Sequence, residues 1–308
     1  PGHSNVGEVE CTGGPVHDAD GEILQPGDVV TFLDVHGTCH DCWYCDVAKA
    51  STRCPNRRVY GITYSAKEGL LGGWSEKIYL KPGVKIVKVP STVPPEAIIG
   101  GGCGLPTAFH AVERGGVRLA ASVVVQGSGP VGLNAALLSI LAGACQVIMV
   151  GAPKLRLEFA RTLGVDEVIN IEEVSVRERV EQVRALTGGR GADIVIEATG
   201  VPAAVKEGLA MTRDCGTYVV VGQYTDHGEV TLNPHWEINK KHVDIRGTWG
   251  IDFSHFYRAL KVLAKHNARI GWERFITNSY SLAEANQALR DVEEQKVIKA
   301  VIDPRAAF

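Results

Sequence analysis

The sequence predicts an α/β protein with two domains, a partial β-barrel and a doubly wound parallel sheet. The length of 308 residues and the apolar content of 45% supply enough material for two buried cores. Residues 1 to about 90 are rich in Gly, Pro and β-branched residues, and their short alternating runs, such as 28–32 and 76–80, are typical of antiparallel strands. Further along, apolar strand segments alternate with helical segments, which favours a parallel sheet.

The elements of the second region can be predicted in chain order. An apolar strand runs into a glycine-rich loop and a long apolar helix, and further strands and helices then alternate. After about residue 247 the alternation stops, and two helices and a last strand follow. The predicted strands are 122–126, 146–150, 193–197, 217–221 and 298–302, and the predicted helices are 133–142, 155–163, 176–187, 253–266 and 282–293.

The charge distribution excludes several classes of partner. The net charge is -3 with interspersed signs, so there is no basic block for nucleic acid. No apolar run reaches the ~18 residues that a membrane span requires, and no secretory signal opens the chain. We therefore expect a cytoplasmic protein that acts on small molecules, with neither nucleic acid nor a membrane as partner.

Four cysteines in the segment 37–56 predict a metal site. Their spacing is C-x-x-C-x-x-C, with the fourth separated from the third by eight residues: Cys39, Cys42, Cys45 and Cys54. Four thiolates satisfy tetrahedral zinc at about 2.3 Å and leave no open position, so this zinc is expected to be structural. Disulfide pairing is the alternative, and a cytosolic setting favours the metal.

A glycine-rich loop predicts a dinucleotide site. The motif G-x-G-x-x-G follows a predicted strand and opens a predicted helix, and it comprises Gly127, Gly129 and Gly132 with Pro130 and Val131 between them. The first glycine permits a tight turn, the second lets the backbone approach a pyrophosphate, and the third lets the helix pack closely on the sheet. The helix N-terminus then faces the anion.

The residue after the next strand bears on the choice between NAD and NADP. Sites that prefer NAD usually place an acidic residue there, to bind the adenosine ribose. Here the residue is Gly151, and Lys154 and Arg156 follow it. A glycine leaves room for a 2′-phosphate that the two cations could pair with, so the sequence favours NADP without excluding NAD. The alternative is that both cations are simply solvated on a helix.

Two residues outside the cysteine lobe are candidate ligands of a catalytic zinc. His3 lies in the opening Pro-Gly-His, and Cys103 lies in a glycine-rich segment. Taken alone, a single Cys is most often a small buried hydrophobe and a single His a satisfied polar group. The remaining cysteines, Cys11, Cys145 and Cys215, are not expected to be ligands, and the last two are expected in the core.

Together the motifs resemble those of the zinc-dependent medium-chain alcohol dehydrogenases, and the resemblance covers residues 1 to 308. It rests on six segments: Pro1-Gly2-His3, the four-cysteine lobe, Gly102-Cys103-Gly104 with Thr107, the glycine loop, Glu197-Ala198-Thr199-Gly200, and Lys296-Val297-Ile298-Lys299.

The resemblance implies an organisation and an activity. Residues 1–95 would form a GroES-like partial barrel that carries the zinc lobe, 96–247 a Rossmann domain, and 248–308 a return to the first domain. The expected enzyme is a zinc-dependent oxidoreductase that transfers hydride reversibly between an alcohol, secondary or cyclic, and NAD(P). Small alcohols and carbonyls would be its substrates, two zinc ions would bind each full-length chain, and a homodimer or homotetramer is expected.

The resemblance also implies roles for single residues. His3 and Cys103 would bind the catalytic zinc, and Thr107 would lie beside the nicotinamide. Thr199 would contact the cofactor, and Lys299 stands where the family often has an arginine near the pyrophosphate.

Two departures from the family pattern matter. Ser4 replaces the family's glutamate after the histidine, which removes a carboxylate from behind the zinc. The family's first zinc ligand, a cysteine upstream of Pro-Gly-His, has no counterpart, so we expect the printed sequence to be N-terminally incomplete. The alternative function is a catalytically crippled dinucleotide-binding protein that keeps its structural zinc lobe.

Overall fold

The computed structural model describes residues 1–306. The chain divides into two compact units, one formed by Pro1–Pro106 together with the chain from Ile251 onward, and the other by Thr107–Gly250. The boundaries expected from the sequence, after residues 95 and 247, fall before these positions. The domain assignment stays a prediction.

The regular elements of residues 1–306 are numbered in chain order. The strands are β1 Val6–Glu8, β2 Val29–Phe32, β3 Val35–His36, β4 Arg58–Val59, β5 Ile86–Lys88, β6 Ser122–Gln126, β7 Gln146–Gly151, β8 Glu167–Asn170, β9 Ala192–Glu197, β10 Thr212–Val220, β11 Asp244–Gly247, β12 Ile276–Tyr280 and β13 Lys299–Ile302. The α-helices are α1 Trp43–Asp46, α2 Pro95–Gly101, α3 Gly104–Gly115, α4 Pro130–Leu141, α5 Lys154–Thr162, α6 Val176–Leu186, α7 Pro202–Met211, α8 Phe253–Ile270 and α9 Ala285–Glu293.

The second unit is built on a six-stranded parallel sheet with the order β11-β10-β9-β6-β7-β8. β6 and β9 are neighbours, and the chain proceeds outward from them in opposite directions. Ligands bind at such a switch point, beyond the carboxyl ends of the strands. The core consists of apolar side chains from the strands and helices, including the fully buried Val124, Ile148 and Leu209. The predicted α/β class with a doubly wound parallel sheet is confirmed.

The first unit contains small sheets. β1, β2 and β5 form an antiparallel sheet in the order β1-β2-β5, β3 pairs with β4, and β12 pairs with β13. One apolar cluster gathers around Phe32 and Tyr60, and a second gathers around Val35, Val59 and Phe256. Most side chains of these clusters are buried because successive side chains of a strand point to opposite faces, so that every second one points inward.

The strand expected at 76–80 is absent, and this prediction was wrong. Ile78 and Leu80 pack against the Tyr60 cluster as the alternation requires, yet the segment has no strand assignment. The backbone N–H of Tyr79 donates to the carbonyl of Leu70 at 2.8 Å. The alternation of apolar and polar residues therefore predicted correctly which side chains are buried. It did not predict strand pairing, because a buried segment forms a strand only where a neighbouring strand is available.

The expectation that Cys145 and Cys215 lie in the core was also wrong. Both thiols are exposed. Cys145 lies just before β7, where its sulfur contacts the carbonyl of Ala120 at 3.1 Å. Cys215 lies in an irregular part of β10 with a φ of 55°, so the strand's inward alternation does not apply to it.

No helix within residues 1–306 combines the length and the apolar character that crossing a membrane would need.

Candidate metal centres and nucleotide site

The four cysteines of the lobe come together as a possible metal site. The sulfurs of Cys39, Cys42, Cys45 and Cys54 all lie within 4.8 Å of one another. The sulfurs of Cys39 and Cys54 are 3.6 Å apart. Four bonds of 2.3 Å in a tetrahedron place sulfurs about 3.8 Å apart, so the donor set fits zinc.

Local structure in the lobe aims these sulfurs at one point. Cys42 precedes the short helix α1, which carries the buried Cys45 on its inner side. Burial raises the pKa of Cys54, but hydrogen bonds from the backbone N–H groups of Cys39 and Asn56 outweigh it, so the pKa is about 7. A hydrogen bond with the Asp41 side chain raises the pKa of Cys39 to about 12. Metal binding there must displace a firmly held proton.

The structure also brings His3 and Cys103 together. They line one narrow cavity of the first unit, whose volume of ≈ 20 Å³ is room for about one water molecule. Polar groups from Ser4, Asn5 and Asp34 share this cavity with apolar side chains. The apolar lining is Phe32, Ile98, Pro106, Ile251, Phe256 and Leu260.

A hydrogen bond couples the two candidate ligands. It raises the pKa of His3, against the opposing effect of burial. Burial raises the pKa of Cys103, but the hydrogen bond with His3 and the positive charges of His3 and Lys299 outweigh it, so the pKa falls to about 7. The pair therefore offers a thiolate and an imidazole, which are the ligand types that zinc prefers.

Lys299 belongs to the same surroundings. Its ammonium lies 3.5 Å from the carbonyl of Gly100, at the end of α2, and burial lowers its pKa while the Cys103 thiolate opposes that shift. Gly102 has a φ of 47°, and a Cβ there would lie 1.9 Å from Lys299 Nζ. Glycine is therefore required at this turn, directly before Cys103.

Two residues near His3 were missed by sequence reasoning. Asp34 lines the cavity, and burial raises the pKa of its carboxyl group although the charges of His3 and Arg57 oppose it. Ser4 was considered only as a lost carboxylate, but its hydroxyl accepts a hydrogen bond from the backbone N–H of Cys103 at 3.0 Å. The role of Ser4 could have been suspected from the sequence, because it is a polar residue directly beside a candidate ligand. No feature of the local sequence indicates that Asp34 lies near His3.

Within residues 1–306, the four-cysteine lobe is the one place where three or more His, Cys, Asp or Glu ligand atoms all lie within 4.8 Å of one another. Asp34 therefore does not complete a three-ligand group with His3 and Cys103. The described residues bring two candidate ligands together in the cavity.

The glycine loop lies at the switch point of the parallel sheet. Gly127 directly follows β6, and a Cβ there would lie 2.6 Å from the carbonyl oxygen of Ala198. A Cβ at Gly132 would lie 1.9 Å from the carbonyl oxygen of Gly127, whereas one at Gly129 would meet nothing within 4 Å. Gly129 thus leaves open space at the N-terminus of α4, where Pro130 and Val131 form the first turn. This geometry suits an anion such as a pyrophosphate.

The end of β7 has no room for an acidic side chain. A Cβ at Gly151 would lie 2.8 Å from the hydroxyl oxygen of Ser128, which donates to the carbonyl of Ala152 at 2.6 Å. Lys154 is 75% exposed and lies 3.9 Å from Glu158. Arg156, on the same first turn of α5, is partly buried, and burial lowers its pKa.

A buried carboxylate organises the loops beyond β9 and β10. Glu197 Oε1 accepts hydrogen bonds from the backbone and the hydroxyl of Thr199, both at 2.7 Å, and from the backbone of Gly200 at 2.8 Å. Its other oxygen accepts from the backbone of Gly222 at 3.1 Å. Thr199 is thereby fixed at the carboxyl edge of the sheet. Thr107 begins the second unit and lies in α3.

Comparison with known families gives a match over part of the chain. A family model described as "Zinc-binding dehydrogenase" matches residues 130–265. This range contains most of the parallel sheet and the first part of α8.

Similar proteins extend over nearly the whole chain. The 5-exo-hydroxycamphor dehydrogenase of Pseudomonas putida is 33% identical over 98% of this chain and 82% of its own length. The D-xylulose reductase A of Aspergillus oryzae is 30% identical over 97% of this chain and 83% of its own. The crystal structure of an alcohol dehydrogenase from Thermotoga maritima has a TM-score of 0.92 and 32% identity, and covers 98% of this chain and 83% of that one.

Proposed function

Because the chain belongs to the zinc-dependent medium-chain alcohol dehydrogenases, we propose that His3 and Cys103 bind its catalytic zinc and that the four cysteines bind a structural one. The enzyme transfers a hydride reversibly between an alcohol and a nicotinamide dinucleotide. The observation that carries the proposal is the hydrogen-bonded contact between His3 and Cys103 in one cavity, although they are distant in the chain.

The residues of the cavity suit this chemistry. When bound, zinc acts as a Lewis acid that lowers the pKa of the alcohol, and the nicotinamide accepts the hydride. Cys103 supplies a thiolate whose pKa of about 7 lets it ionise near neutral pH. His3 supplies an imidazole, and the apolar walls around Ile98 and Phe256 keep water away from the pair.

The glycine loop and its neighbours would hold the cofactor. Gly127 and Gly132 permit the close backbone contacts that shape the loop, and Gly129 leaves the backbone open to the pyrophosphate at the N-terminus of α4. Thr107 and Thr199, both in the second unit, would line the nicotinamide end of the site. The affinity for the cofactor is the measurement that tests the roles of these two threonines.

We propose NADP as the preferred cofactor. Gly151 excludes the carboxylate that repels a 2′-phosphate, and Lys154 and Arg156 lie on the helical turn that follows. The measurement is the ratio of kcat/KM with NADP to kcat/KM with NAD. A large ratio in favour of NAD contradicts this choice.

A secondary or cyclic alcohol is the proposed substrate. By its name, the Pseudomonas putida relative acts on a hydroxylated camphor, and the Aspergillus oryzae relative is named for xylulose. The chain's cavity adds apolar walls from Ile251, Phe256 and Leu260. Turnover of a panel of primary, secondary and cyclic alcohols by zinc-loaded protein tests this, and activity confined to primary alcohols contradicts it.

One observation favours the second candidate function, a catalytically crippled dinucleotide-binding protein. In residues 1–306 the cavity gathers two candidate ligands, whereas a catalytic zinc usually has three protein ligands. Zinc content separates the two functions. Two ions per chain support the enzyme, and one ion with no turnover supports the alternative.

We further propose a homodimer or homotetramer in a reducing, cytoplasmic compartment. The edge strand β11 has Ile245 42% exposed, which suits pairing with a second copy. The eight cysteines, all within residues 1–306, are free thiols. Light scattering of the purified protein measures the assembly.

A further inference from the structure

Ser4 connects the two segments that carry the candidate zinc ligands. It directly follows His3, and its hydroxyl oxygen accepts the backbone N–H of Cys103 at 3.0 Å. The same hydroxyl forms a hydrogen bond with the Cys103 sulfur. One small side chain thus contacts both the backbone and the sulfur of Cys103.

Gly102 and Lys299 also lie close to Cys103. Gly102 ends α2 with a left-handed φ of 47°, and the missing Cβ leaves the space that the Lys299 ammonium occupies. Cys103 is therefore close to a neutral hydroxyl and to an ammonium. Neither group can bind zinc in its place, because an ammonium has no lone pair and a neutral hydroxyl is a weak ligand.

We propose that Ser4 is a positioning residue that holds the Cys103 thiolate in the orientation required by the catalytic zinc. This inference rests on the proposed function. Outer partners of metal ligands fix the ligand's orientation, and removing one typically weakens metal binding about 10–100-fold. A hydroxyl that hydrogen-bonds both the backbone and the sulfur of one ligand meets this description.

The test compares Ser4→Ala, Ser4→Thr and wild type by competition with a colorimetric zinc chelator. Ser4→Ala is expected to weaken the more weakly held zinc about 10–100-fold, with the tightly held lobe zinc unchanged. Ser4→Thr keeps the hydroxyl and is expected to restore wild-type affinity. The unfolding midpoint of the metal-free proteins is expected to stay the same, a readout that a merely structural role would shift.

Two further variants make the outcome decisive. Ser281→Ala removes a buried hydroxyl elsewhere in the first unit, whose partner is Glu284 at 2.9 Å, and should leave both zinc affinities unchanged. Ser4→Val has nearly the shape of Ser4→Thr but lacks the hydroxyl and adds no metal ligand, and it replaces Ser4→Ala if that variant does not fold.

The outcomes separate this inference from the proposed function. If wild type and Ser4→Ala hold both zinc ions with equal affinity, the role of Ser4 is overturned while the two-zinc proposal stands. If wild type holds a single zinc ion, the proposed catalytic site is overturned and the inference with it. Weakening that Ser4→Thr does not restore also overturns the role of the hydroxyl.

Discussion

The four-cysteine lobe and the His3–Cys103 cavity are both candidate metal sites of the first unit, but their ligands come together in different ways. The lobe gathers four thiols from a single short segment, with sulfurs within 4.8 Å of one another. The cavity joins a histidine at position 3 to a cysteine at position 103, and Ser4 bridges them. Short-range spacing builds the first site, whereas the second exists only once the fold has formed.

This difference predicts different roles. The lobe offers four ligands and no free position, which suits a structural zinc. The cavity offers a thiolate, an imidazole and space beside them. We therefore expect damage to the lobe to reduce stability and damage to the cavity to reduce turnover.

The largest expected effect is on turnover in Cys103→Ala. If Cys103 binds the catalytic zinc as proposed, removing its thiolate removes the site for a Lewis acid whose transition-state stabilisation is worth several kcal/mol. Because 1.36 kcal/mol is a tenfold change in rate, kcat/KM should fall by about a thousandfold or more. Steady-state kinetics measure this, with Cys145→Ala, an exposed thiol, as the control. Wild-type kcat/KM in Cys103→Ala would remove the residue from the catalytic site.

The second effect is on stability in Cys42→Ser. Structural zinc contributes binding free energy to folding, about 10–16 kcal/mol in zinc-finger peptides, and part of this is lost when one thiolate is removed. We expect the thermal unfolding midpoint to fall and protease cleavage within 37–56 to accelerate, while activity per folded molecule stays near that of wild type. Scanning calorimetry and limited proteolysis measure this. An unchanged midpoint combined with lost activity would reverse the two roles.

The smallest expected effect is a difference in pH dependence of zinc binding. The pKa of Cys103 is lowered to about 7, so its thiol is deprotonated above that pH and zinc affinity at the cavity should fall as the pH drops below it. The pKa of Cys39 is raised to about 12, so the affinity of the lobe should keep rising with pH above 7. Zinc titrations of Cys42→Ser and Cys103→Ala report the two sites separately. Identical profiles would contradict the assigned difference.

The elements with a local cause were predictable from the sequence. The strand, glycine loop and helix around Gly127 follow from an apolar run and three glycines, and the structure places them at the switch point of the sheet. The close spacing of the four cysteines likewise made the metal site of the lobe predictable. The strand expected at 76–80 failed because burial of Ile78 and Leu80 did not come with a pairing partner.

Features that depend on distant contacts were not predictable from spacing. His3 and Cys103 were singled out only through the family resemblance, and their hydrogen bond emerges from packing. From the sequence, Ser4 was interpreted only as the loss of a carboxylate, although in the folded chain its hydroxyl accepts a hydrogen bond from the backbone N–H of Cys103. Asp34 follows a buried strand like many surface residues, so its place beside His3 could not be read from the chain alone.

The central claim is that the two sites bind zinc with different ligands and in different roles. Zinc-edge X-ray absorption of zinc-loaded wild type and Cys103→Ala tests it most directly. Wild type should show sulfur at about 2.3 Å mixed with nitrogen or oxygen at about 2.0–2.1 Å, and Cys103→Ala should show sulfur alone with half the zinc per chain. A spectrum and a zinc content that do not change in Cys103→Ala would contradict the claim.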